Sequence, residues 1–194
     1  MYRTGLLLFL WLIFFGGTAT HTYSSFVADD EIVGFIHQQI AANHADRSEV
    51  RMRLWDVHII PWDSADVKSV GLADSMSDDF FLYYEPRYTL DSVLQDSDKI
   101  FMRKQVWAYS GKKQDWQKED LRGVKLIQPV PPDQVHIGNE YWEFSLPVFS
   151  KDHNWCIAKY EFVCGSRCID RRTFLYKKSA EGNWLRYKLL RKDS

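Results

Sequence analysis

The chain has 194 residues with 25 Lys and Arg against 26 Asp and Glu, a formal net charge of −1. A balance this even excludes a bulk polyanion such as nucleic acid as the main partner. With 45 % hydrophobic residues the composition is that of a folded protein, long enough to bury one sizeable core.

Arg3 is the only charge before Asp29, and it precedes the unbroken apolar run Leu6 to Phe15. Gly16 and Gly17 break that run, and Gly17-Thr18-Ala19 places small residues where a signal-peptidase cut after Ala19 needs them. The run is about half the ~20 residues that a membrane span requires. Residues 1–19 are therefore expected to be a signal peptide and residues 20–194 a single domain, periplasmic or secreted, with no stable membrane anchor once the signal is cut.

The charges divide unevenly. Residues 25–98 carry 15 acids and 5 bases, whereas residues 99–194 carry 11 acids and 19 bases. Two halves of one domain with complementary fields would give this split; so would a basic surface for an acidic partner. Under the second reading Lys159, Arg171, Arg172, Lys177 and Arg186 are the residues expected to form a connected patch on the sheet surface away from the helices.

The first predicted helix starts at Asp29, with Asp30 and Glu31 where the helix dipole favours acids. Ile32, Ile36 and Ile40 recur at helical spacing beside Val33 and Phe35, and the Asn43-His44 region ends the element. His37 sits beside that stripe as an ordinary packed or surface histidine. VRMRLWDVHII, from Val50, alternates as a half-buried strand and stops at Pro61. Residues 63–98 show no period and are read as irregular, with room for a short helix or edge strand; their acids Asp78, Asp79 and Glu85 fit no acid–base motif and are read as a solvated rim. A second helix is predicted from a Ser97 cap to Gly111, with Ile100, Phe101, Lys104, Trp107 and Ala108 on one face. GVKLIQPV then reads as a strand ended by the stiff PVPPD turn.

The last third is rich in aromatic and β-branched residues. Glu140 to Phe149, Trp155 to Val163, Arg172 to Lys178 and Trp184 to Leu190 read as strands separated by the turns SKDHN, CGSRCID and SAEGN. The expected fold class is α+β, with two or more helices packed on a mainly antiparallel sheet that ends in a four-stranded meander. The strand–turn phrase PVFSKDHN occurs once, which excludes a propeller built on its repetition.

All three cysteines lie between Trp155 and Lys178, spaced C-x7-C-x3-C. That spacing suits neither a structural zinc site nor a C-x2-C redox centre. A cysteine nucleophile would need one of His58, His136 or His153 brought to it. A staple fits better: Cys164 and Cys168 flank a reversal at Gly165-Ser166-Arg167, and export supplies the oxidant. Cys156, in mid-strand, then reads as a small buried hydrophobe.

FSLPVFSKD, YEFVCGSRC and FLYKK followed by GNW resemble the C-terminal signature of exported Bacteroidota proteins with no assigned activity. DSDKIFMRKQ is similar to the short capped helix of that group. The likeness covers about the last half of the chain and implies kinship without naming a chemistry. Ile169 departs from it, standing where a second glycine often follows the second cysteine.

No zincin, nucleophile-elbow, phosphate-loop or dinucleotide fingerprint is present, so no cofactor, metal or catalytic residue is assigned. Two functions remain from the sequence. One is a non-catalytic exported binding module for an acidic protein or a carbohydrate, in keeping with its wealth of aromatic rings. The other is an exported hydrolase whose Asp and His residues are gathered by the fold. A pocket holding acids or histidines of perturbed pKa would favour the second.

Overall fold

A computed structural model describes residues 22–45, 54–72, 90–121, 123–128, 130–136, 140–165 and 168–193. The signal segment, the acids Asp78, Asp79 and Glu85, and the first residues of the strand expected from Val50 lie outside the described residues.

Helix α1 runs Asp29–Ala45 and buries the expected stripe of Ile32, Phe35, Ile36 and Ile40. Asp29 also anchors the preceding chain, accepting the Tyr23 N–H at 3.0 Å. Strand β1 follows at Leu54–Ile60. A short helix α2, Ser64–Ser69, then appears within the stretch read as irregular. Six residues are too few to show a helical period, and α2 rests on its start signal. Asp63 accepts the N–H groups of Ala65 and Asp66, and Asp66 accepts the N–H of Asp63 in return.

Helix α3, Asp96–Tyr109, begins one residue before the expected cap, with Asp98 accepting the Gln95 N–H. Its inward face also differs from expectation. Met102, Gln105, Val106 and Tyr109 are buried, while Ile100 and Trp107 are 45 % and 58 % exposed. Gln105 accounts for this rotation. Its amide mimics a neighbouring peptide, donating to Phe149 O at 2.7 Å and accepting Phe149 N–H at 3.0 Å. A buried side chain with both hydrogen bonds made outweighs a larger apolar face left in water.

The remaining strands are β2 Lys125–Ile127, β3 Tyr141–Ser145, β4 Val148–Phe149, β5 Trp155–Val163, β6 Ile169–Lys178 and β7 Trp184–Asp193. Pro147 splits the strand expected over 140–149 into β3 and β4, since it cannot donate to a ladder. Among the described residues the seven strands form one sheet, ordered β2-β1-β3-β5-β6-β7, with β4 added against β5. The α+β class holds. The sheet is mixed, however: β1 runs parallel to both β2 and β3, and only the pairs from β3 onward are antiparallel. The long excursion through α2 and α3 supplies the crossover that a parallel pair demands.

Strand alternation gives the sheet two different faces. On one, α1 packs Phe35 edge-on against Tyr176 at 5.0 Å, Trp184 at 5.8 Å and Phe149 at 6.3 Å. On the other, α2 is tied down by Lys159, which donates to Asp66 at 2.7 Å and lies 4.6 Å from the Trp62 ring. A small satellite core of Val135, Tyr141 and Val163 sits on this second face, with Val130 packed against it.

Candidate functional site

Three strands carry the same dipeptide pattern, an aromatic residue followed by an acid: Trp55-Asp56 in β1, Trp142-Glu143 in β3 and Tyr160-Glu161 in β5. Because successive side chains point to opposite faces, the pattern sorts rings from acids. Trp142 lies 6.1 Å from Trp55 and 5.4 Å from Tyr160, so the rings form a row on the α1 face. Asp56, Glu143 and Glu161 form the matching row on the face bearing α2.

Three carboxylates in a row cannot all ionise without compensation. At one end Glu161, opposite Arg171 in the ladder, accepts its Nε–H at 2.6 Å. At the other end Asp56, which is 3 % exposed, is hydrogen-bonded to the central Glu143 and also accepts the backbone N–H of His58 at 2.8 Å. Burial first, then the Asp56 hydrogen bond and the charges of Asp56 and Glu161, push the Glu143 carboxyl up to about 9, with Arg171 opposing. The Asp56–Glu143 pair thus holds a proton well above the ordinary carboxyl range. Burial and the same three acids raise the Tyr141 phenol to about 12, and its hydroxyl donates to Val130 O at 3.4 Å.

Asp56 and Glu143 line an open groove of about 380 Å³, together with Tyr141, Pro61 and the Val130-Pro131-Pro132 segment. His58 stands at its rim, half exposed, with Nδ1 2.6 Å from the Asp115 carboxylate. None of these residues was singled out as a site from the sequence, apart from His58 as a remote partner for a cysteine. The signal was the repeated aromatic–acid pair, which becomes meaningful only once the three strands are known to be neighbours.

The five bases expected to form one patch are divided between the two faces. Lys159, Arg171 and Lys177 share the carboxylate face: Lys159 is bound to Asp66, Arg171 to Glu161, and Lys177 lies 5.2 Å from the Trp155 ring. Arg172 and Arg186 are on the α1 face, 6.0 Å and 5.4 Å from the Tyr160 ring, and Arg172 is paired with Asp170. The expectation of a connected patch fails because odd and even positions of β6 point opposite ways.

Cys164 and Cys168 form a disulfide, with Cα atoms 5.1 Å apart. Gly165 takes φ 136°, open only to glycine without strain, and Cys168 N–H reaches Gly165 O at 3.0 Å. Cys156 is a free, fully buried thiol whose pKa burial pushes well up. His136 is exposed, with Nδ1 near Gln134 O, and His153 contacts the Glu31 carboxylate at 2.6 Å. Alkylation of denatured, unreduced protein should tag Cys156 alone. Reduction should leave the protein folded at a cost of about 2 kcal/mol, because the closed loop is short. Tagging at three positions, found by mass mapping, would contradict the pairing.

No group of three or more His, Cys, Asp and Glu suited to a metal ion occurs among the described residues. No family model matches the chain, and neither the curated proteins nor the solved structures contain a significant match.

Proposed function

We propose that the chain is an exported binding protein that holds a small hydroxyl-bearing ligand, of the carbohydrate class, against Asp56 and Glu143. The observation that carries this reading is the pair itself: two carboxyls in hydrogen-bond contact with one another, so that their remaining oxygens are left as acceptors along an open groove of about 380 Å³. Adjacent hydroxyls of a sugar offer the complementary donors. Direct contact between the two carboxyls favours binding over glycoside cleavage, for which they would stand about 5–9 Å apart.

Hydrolysis by a water held on the pair is a second reading, favoured by the shared proton, since acid-peptidase dyads work in that way. Glu143→Gln separates the two. The amide keeps a neutral donor, so a binding site should retain affinity for a panel of mono- and oligosaccharides within about tenfold. Asp56→Ala should weaken that affinity by about tenfold or more. Loss of turnover in Glu143→Gln on peptide or ester substrates would install the hydrolytic reading instead.

Export belongs to the same proposal, as does kinship with the exported Bacteroidota group. The Cys164–Cys168 disulfide supports it, since such bonds persist in oxidising compartments. No helix among the described residues is long and apolar enough to cross a membrane. Export predicts a mature N-terminus at or near Thr20 by N-terminal sequencing from the native host; retention of Met1 in a membrane fraction would contradict it.

A further inference from the structure

Strand β7 closes one end of the sheet order, and among the described residues it pairs with β6 alone. At ten residues it is long for an edge strand, whose unpaired backbone groups are a template for another chain. Its first residue is sealed: Gln38 accepts the Trp184 N–H at 2.8 Å and Gln39 donates to Trp184 O at 3.4 Å. From Leu185 onward the strand runs beyond these contacts.

Its composition departs from the rest of the surface. Three of the five exposed large hydrophobic residues among those described lie here: Leu185 at 58 %, Tyr187 at 49 % and Leu189 at 42 %. The same strand carries Arg186, Lys188, Arg191 and Lys192 against the single acid Asp193, which Arg191 binds at 2.8 Å, and two register shifts put Leu185 and Lys188 on one face and Arg186 and Leu189 on the other. Basic residues and irregular register, as between Thr173 and Phe174, are devices that keep an edge from pairing with its own copy. Two β7 strands laid side by side would set one basic row against another. The charge that forbids a second copy selects a strand of opposite charge.

We propose that the β7 edge receives an extended segment of an acidic partner protein, rich in apolar and acidic residues, which adds to the sheet as its next strand. Main-chain hydrogen bonds would supply affinity, Leu185, Tyr187 and Leu189 the apolar contact, and the bases the choice of partner. This surface is separate from the Asp56–Glu143 groove and stands without it.

The test uses the mature protein and two blocked ten-residue probes, one alternating Val with Glu and the other Val with Lys. The acidic probe should bind saturably, at least about tenfold more tightly than the basic one, and weaken with added salt. Amide exchange with the acidic probe bound should slow at residues 185–193 and be unchanged in α1. Lys188→Glu with Lys192→Glu should reverse the preference between probes, and the exchange map of the unaltered protein tests the site even if that variant misfolds. Equal binding of both probes, no saturation by the acidic one, or protection elsewhere would overturn the proposal. So would a dimer in sedimentation whose contact protects β7, since the occupant would then be a second copy.

Discussion

Lys159→Ala is expected to lower the melting temperature by roughly 6–12 °C, the shift that about 3 kcal/mol produces in a domain of this size. Lys159 leans along the sheet so that its ammonium reaches Asp66 at 2.7 Å and Pro61 O at 2.6 Å, beneath the Trp62 ring. Both partners are largely out of water, with side chains 16 % and 7 % exposed. Removing the lysine leaves a carboxylate that has been desolvated with little to compensate it; Arg191 is 3.8 Å away, and the Asp63 N–H remains. Stranding a buried charge costs about 3–5 kcal/mol, and the surviving contacts set the lower end. The cost belongs to the orphaned charge rather than to the pair. Lys159→Met with Asp66→Asn should therefore recover most of the loss in thermal unfolding. A single variant that melts within a degree or two of the parent would mean that Asp66 is solvated by other means.

The same lysine marks where reading a sequence stops. Its position on a strand was legible from the aromatic and β-branched run around it, and so was the turn at each end. Its partner was not, because Asp66 is 93 residues away on a helix of six residues that shows no period. The Ile32, Ile36, Ile40 stripe was legible because a helical period writes itself into one segment, and the Cys164–Cys168 pair because its partners are four residues apart. The parallel pairing of β1 with β3 depends on what crosses between them, and a single segment carries no trace of it. The carboxylate row failed for the same reason. Asp56, Glu143 and Glu161 are each one acid in an apolar strand, and only lateral order makes them neighbours.

That row makes stability fall as pH rises. Glu143 holds its proton in the folded state up to about 9, while the unfolded chain releases it near the ordinary 4.5. Between those values the folded state binds the extra proton, so its advantage is complete below pH 4.5, declines through the window and is lost above pH 9. The groups responsible flank Glu143 on both sides, Asp56 from β1 and Glu161 from β5, with Arg171 of β6, one strand further, opposing them. Across the window the decline should amount to a few kcal/mol, on the order of what linkage assigns to a shift of this kind once water entering the groove is allowed for. Asp152, whose carboxyl burial raises but hydrogen bonds from Ser150 and Asn154 bring below its ordinary value, acts with the opposite sign but only at more acid pH. Glu143→Gln isolates the effect, because the amide has no proton to lose. Melting temperatures of parent and variant should coincide near pH 5 and diverge by several degrees at pH 9, with the variant the more stable. Parallel curves from pH 5 to 9 would mean that Glu143 is ionised throughout, and the proton joining it to Asp56, on which the proposed site rests, would be absent.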